Sequence, residues 1–86
     1  MQADVIQRLI ENGLPGSEVQ VAGDGRHFQA VVVSASFAGK SMLQQHRMVY
    51  ETLGDGFRNE ALHALSIKTL TPDERSDGAS ASSSDD

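Results

Sequence analysis

The sequence predicts a small α+β domain of αββααβ order, a three-stranded mixed sheet with its helices packed on one face. Three observations carry this. Residues 2–12 place Val5, Ile6, Leu9 and Ile10 at helical spacing. Glu18-Val19-Gln20-Val21-Ala22 alternates polar and apolar, then passes through Gly23-Asp24-Gly25 toward Val31-Val32-Val33, which reads as a hairpin. A helical stretch from Ser41 then separates that hairpin from a last alternating run around Leu65 and Ile67. A strand that returns after a helical crossover lies parallel to its neighbour.

The first helix closes at Gly13, read as its C-cap, and Pro15-Gly16 prevents continuation. The second strand runs about Arg26 to Ser36. Its β-branched centre is apolar on both sides, as expected of a central strand with both faces at least partly covered. Phe37-Ala38-Gly39-Lys40 is a connector. Ser41 caps the next helix, with Gln44 three residues on to complete a capping box. That helix spans about 41–53, and Met42, His46, Val49, Tyr50 and Leu53 share its apolar stripe, broadened by Leu43. Gly54-Asp55-Gly56 interrupts it, and Phe57 to Ala61 forms a further helical turn or two. The last strand is read from His63 to Thr69 or Leu70, with Leu65 and Ile67 on one face and His63 and Thr69 on that same face near its ends.

Eighty-six residues allow one domain. It is placed at residues 1–72, followed by an acidic Ser/Asp-rich disordered tail at 73–86. Residues 76–86 are low-complexity and polar, without apolar area to offset ordering entropy, and are expected to be disordered. The formal net charge of −5 is uneven. Residues 72–86 hold five acids against Arg75, whereas residues 1–71 hold six Lys/Arg against seven acids. A nearly neutral folded part does not favour nonspecific nucleic-acid binding, which rests on phosphate neutralisation. No apolar run approaches the roughly 20 residues of a membrane span, and the start resembles no signal peptide. A soluble, cytoplasmic protein is expected.

Zero cysteines exclude a disulfide scaffold and a thiol nucleophile. No Gly-x-Ser-x-Gly elbow, Walker loop or Gly-x-Gly-x-x-Gly is present, and the carboxylates are scattered, so no enzyme is expected. Gly13-Leu14-Pro15-Gly16 spells a Gly-x-x-Gly, yet it lies between the first helix and first strand and reads as a helix stop and turn. Histidines remain. His27 follows the Gly23-Asp24-Gly25-Arg26 turn, and His63 opens the last apolar run. Without cysteine, imidazole is the foremost metal ligand expected of this chain. Two imidazoles do not complete a tetrahedral site, so a metal would be shared with a partner that supplies thiolates. The plain alternatives are a surface or capping histidine at 63 and a hairpin-flanking polar residue at 27. His46 reads as a packing or hydrogen-bonding group on the second helix, and Arg47 and Lys40 as a solvated face or a local basic surface.

Five segments in order resemble the BolA-like family: Val21 to Phe28, Val31 to Ser34, Phe37 to Ser41, Gln45 to Tyr50, and Leu62 to Lys68. The resemblance covers roughly residues 2–72. The short Gly-Asp-Gly turn is similar to the short-loop, YrbA/IbaG-like branch, and the Ser/Asp tail has no counterpart there. The resemblance implies a fold similar to a class II KH domain. Such a domain carries its RNA-clamping Gly-x-x-Gly between the two later helices, where this chain has Leu53-Gly54-Asp55-Gly56-Phe57. It also implies a partner, a monothiol glutaredoxin carrying a Cys-Gly-Phe-Ser motif, and a [2Fe-2S] cluster held by the glutaredoxin cysteine, a glutathione thiol and histidine. The family's main ligand matches His63, and a more variable second ligand matches His27. Replacing thiolate by imidazole removes negative charge from a cluster and raises its potential. The expected function is therefore an adaptor for iron–sulfur trafficking or iron and redox regulation, acting by ligand exchange rather than turnover. The isolated chain is expected to hold no cofactor. A DNA-binding regulator of stress response or cell morphology is the alternative, with DNA as its partner. Independently of either reading, a weakly associated second copy of the chain is a further partner, and no membrane is expected.

Overall fold

The computed structural model describes residues 2–75. Helix α1 (Ala3–Gly13) leads into β1 (Glu18–Gly23) and β2 (Phe28–Val33). A 3-10 turn (Ala35–Phe37) precedes α2 (Met42–Thr52), α3 (Asp55–Ala64) and β3 (Leu65–Leu70). The αββααβ order stands as expected. The sheet has order β1-β2-β3, with β1 antiparallel and β3 parallel to the central β2.

The register sorts every strand residue onto one of two faces. Val19, Val32 and Thr69 form one cross-strand row, Val21, Ala30 and Ile67 the next, and Gly23, Phe28 and Leu65 the last. These rows carry the buried residues and receive the helices: Ile6 and Ile10 from α1, Phe37 from the 3-10 turn, Val49 and Leu53 from α2, and Ala61 from α3. Fully burying side chains such as Phe37, Ile6, Ile10, Val32 and Val49 contributes about 1.5–3 kcal/mol each. The opposite rows (Glu18, Val33, Leu70; Gln20, Val31, Lys68; Ala22, Gln29, Ser66) form the open face. There Gln29 is exposed, Val31 half-buried and Val33 buried, so β2 is covered on one face throughout and on the other toward its end. Val33 lies where a helical turn at 72–75 folds over the sheet end and Arg75 pairs with Glu18. That turn has its own capping box: Thr71 Oγ1 accepts from Glu74 N at 3.1 Å and Glu74 Oε1 accepts from Thr71 N at 2.8 Å. The acidic tail expected to be disordered from residue 73 instead begins within this capped turn, at 73–75, and residues 76–86 lie outside the described residues.

Several local expectations change. Gly13 is the last residue of α1, and Leu14 is the cap. Thr52 of α2 approaches so closely that a Cβ on Gly13 would lie 2.5 Å from Thr52 Cγ2, so the glycine serves helix packing. β2 begins at Phe28 and ends at Val33, because Asp24 ties up the loop before it and Ser34 caps the 3-10 turn after it. The capping box of α2 is present, with Ser41 Oγ accepting from Gln44 N and Gln44 Oε1 from Ser41 N. Its apolar stripe, however, is rotated. Met42 and Leu43 are exposed at 70% and 67%. The inward side keeps Val49, Tyr50 and Leu53 and adds Gln45, Met48 and Thr52. Gln45 turns inward because its amide is satisfied there: Nε2 donates to Phe37 O and Lys40 O, and Oε1 accepts from the Thr69 hydroxyl at 2.6 Å.

The largest correction concerns α3. It runs to Ala64, so His63 sits in the last helical turn and not at the start of a strand. Phe57 and Ala61, four apart, both face the core, and Leu65 N still donates to Ala61 O. Good helix formers at Glu60, Ala61, Leu62 and Ala64 carry the helix past the point where strand-like alternation begins. His63 is exposed while Thr69 is buried on the helix-covered face, so the two do not share a strand face.

Candidate metal-ligand site

His27 is the last residue of the loop between β1 and β2. Asp24 builds that loop. Its Oδ1 accepts from Arg26 N and from His27 N, both at 2.9 Å, and its own N–H donates to His27 O at 3.2 Å. The backbone of His27 is thus clamped through both its N–H and its carbonyl, while the imidazole is exposed. Gly23 lets the loop close this tightly: a Cβ there would stand 2.5 Å from His27 O and 2.5 Å from the Phe28 ring. The backbone N–H groups of His27 and then Arg26 hold the Asp24 carboxyl below its ordinary range.

His63 is placed by contacts from farther along the chain. It stands one residue from the end of α3 and two before Leu65. Tyr50 of α2 reaches that junction, its hydroxyl donating to Leu65 O at 3.4 Å. The β2–β3 register then decides where the histidines lie relative to each other. Phe28 is opposite Leu65, so His27 immediately precedes β2 at the same end of the sheet where His63 precedes β3. An antiparallel β3 would have carried its start to the far end of a six-residue strand, roughly 20 Å away. The parallel crossover therefore brings the two predicted ligand residues to one end. His46 is elsewhere, half-buried on α2 beside Arg47 and Tyr50.

Among the described residues no group of three or more His, Cys, Asp or Glu gathers as a metal site. The donor set is two exposed imidazoles, which suits half of a shared site and does not suffice for a whole one. The sequence did not single out Asp24 as a positioning group, although an Asx turn is a recognised property of Asp beside Gly. The Tyr50–Leu65 contact has no local signal at all.

The BolA-like protein family matches residues 10–74 of this chain. The chain belongs to the BolA family. The acid stress protein IbaG of Escherichia coli K12 is 39% identical over 74 residues, covering 86% of this chain and 88% of IbaG. The structure of a bolA homologue from Coxiella burnetii superposes with a TM-score of 0.76 at 44% identity, covering 88% of this chain and 97% of that one. The solution structure of the XC975 protein matches at a TM-score of 0.60 and 55% identity, covering 86% and 92%. The BolA fold and the similarity to IbaG agree with the resemblance read from the five sequence segments. No helix among the described residues is long and apolar enough to cross a membrane.

Proposed function

We propose that this BolA-family chain is an adaptor that binds a monothiol glutaredoxin of the Cys-Gly-Phe-Ser type and shares a glutathione-dependent [2Fe-2S] cluster with it, in cytoplasmic iron–sulfur trafficking or iron and redox regulation. The observation that carries the proposal is the parallel register, which brings exposed His27 and His63 to one sheet end in a chain without cysteine. Such a donor set fits one side of a cluster whose thiolates come from a partner. Imidazole in place of thiolate lowers the cluster's negative charge and raises its potential. His63 is the main ligand, held by the α3–β3 junction, and His27 the auxiliary one, held by Asp24. The acid-stress name of the Escherichia coli relative accords with a regulatory role under stress.

The test is a reconstitution with glutaredoxin, glutathione, iron and sulfide, read by absorption and circular dichroism. Wild type is expected to give a heterodimer spectrum distinct from that of the glutaredoxin alone. His63→Ala abolishes it, and His27→Ala alters it. A wild-type mixture that keeps the glutaredoxin spectrum and forms no complex refutes the reading and leaves DNA binding as the next assay.

A further inference from the structure

Between α2 and α3 lies a groove of about 310 Å³, formed by Leu43, His46, Arg47, Tyr50, Arg58 and Leu62, of which Tyr50 also packs against the core. On α2 the lining residues fall at i, i+3, i+4 and i+7, one continuous helix face. On α3 they fall at i and i+4. Leu43 and Leu62 are exposed at 67% and 62%, and with Met42 they are the exposed large apolar side chains of the described residues. Two large apolar side chains left in water along one groove mark a contact surface rather than scattered exposure. The lining also holds two arginines and no carboxylate, although the folded part is close to neutral. The one ion pair at the groove is Arg58 with Asp55 at 3.8 Å, an exposed contact of little energetic weight.

We infer that this groove docks an acidic, amphipathic segment of the protein that supplies the cluster thiolates, with apolar side chains seated on Leu43 and Leu62 and carboxylates on Arg47 and Arg58. The inference rests on the function proposed above and extends its interface. Charge complementarity selects an acidic occupant. Paired leucines select a protein over a nucleic-acid backbone, which would use the arginines alone. Continuity selects the same partner that reaches the histidines: Leu62 adjoins His63 in sequence, and Tyr50 in the groove wall bonds to Leu65 at the junction that follows. Because the groove involves neither His27 nor His63, docking does not need the cluster.

Iron-free monothiol glutaredoxin, titrated by calorimetry against the full chain, tests this. Wild type is expected to bind, and more weakly as salt rises. Arg47→Glu/Arg58→Glu and Leu43→Ser/Leu62→Ser are each expected to raise Kd at least about tenfold. Lys68→Glu, on the open sheet face, leaves Kd unchanged. All substituted side chains are exposed, and far-ultraviolet circular dichroism checks that each variant is folded. Equal binding by wild type and both double variants overturns the docking surface while leaving the cluster reading intact. A wild type that binds only when iron and sulfide are present does the same. A wild type that forms no complex under either condition overturns both. Binding of duplex DNA lost in the arginine variant but kept in the leucine variant would assign the groove to a phosphate backbone and likewise overturn the inference.

Discussion

Gln45 is the group on which α2, the connector after β2, and β3 converge, and its replacement by leucine gives a sharp test of how the fold is held. The Gln45 amide accepts from the Thr69 hydroxyl at 2.6 Å and donates to Phe37 O at 3.1 Å and Lys40 O at 3.0 Å. Thr69 is 9% exposed, so its hydroxyl has little water to turn to once the amide is gone. A hydrogen bond is worth about 0.5–1.5 kcal/mol net, and a buried group left unpaired costs about 1–3 kcal/mol. The Lys40 carbonyl is exposed and counts for little. The two part-buried contacts therefore place Gln45→Leu at about 2–3 kcal/mol, which for a domain this small lowers Tm by roughly 10–20 °C. Thr69→Val removes the orphaned hydroxyl and costs about 1 kcal/mol by itself. In the double variant the unpaired donor no longer exists, so the losses are less than additive, with a coupling of about 1 kcal/mol. Urea unfolding followed at 222 nm measures all three variants. A loss below about 0.5 kcal/mol for Gln45→Leu, or a strictly additive double variant, would show that water replaces these bonds at no cost and would refute the reasoning.

Two further outcomes follow from the loop that holds His27. Gly23→Ala places a Cβ 2.5 Å from His27 O. Because backbone has to move, the variant should lose about 1–3 kcal/mol in the same urea assay, and the reconstituted cluster spectrum should shift toward that of His27→Ala. Asp24 gives a pH dependence. Its carboxyl is held below the ordinary range by backbone N–H donors from His27 and Arg26, so the folded state favours the ionised form. The stability it adds is present above the unfolded carboxylate pKa and is lost as pH falls through the depressed folded value. The difference in urea midpoint between wild type and Asp24→Asn should be constant near neutrality and shrink below about pH 4. A difference that stays constant to pH 3 would remove the charge from the account.

What the sequence revealed and what it concealed divide by the range of the forces involved. The hairpin, the Ser41–Gln44 capping box and the helical spacing of α1 are set within a few residues, and each was legible. The inward turn of Gln45 was not, because hydropathy ranks an amide as a surface group until its partners, Thr69 of β3 among them, are known. On the same helix Met42 and Leu43, expected on the apolar stripe, lie in solvent. The placement of His63 failed for a related reason. His63-Ala64-Leu65-Ser66-Ile67 alternates like a strand, but the burial of Phe57 and Ala61 continues the helix into it. Both histidines were legible as ligand candidates from residue type and family resemblance. Their common location was not, since it depends on a parallel register between residues 37 apart, Phe28 and Leu65.

The two histidines are thus held by different means, with consequences for how the site forms. His27 is fixed by consecutive residues of one tight loop, so the hydrogen bonds that hold its backbone are local. His63 is fixed by the end of α3, by Tyr50 from α2 and by pairing of β3 with β2, none of which exists before the whole domain folds. The placement of both imidazoles at one end of the sheet is therefore a property of the folded state only. A partner that binds that state and not the unfolded chain stabilises it by mass action, by about 2.7 kcal/mol at one hundred times Kd. That is the size of the loss expected from removing the Gln45 amide, and a large fraction of what a domain of this size retains. In the proposed complex, a small domain that buries limited surface gains from one partner both the thiolate ligands of the shared cluster and a substantial margin of stability.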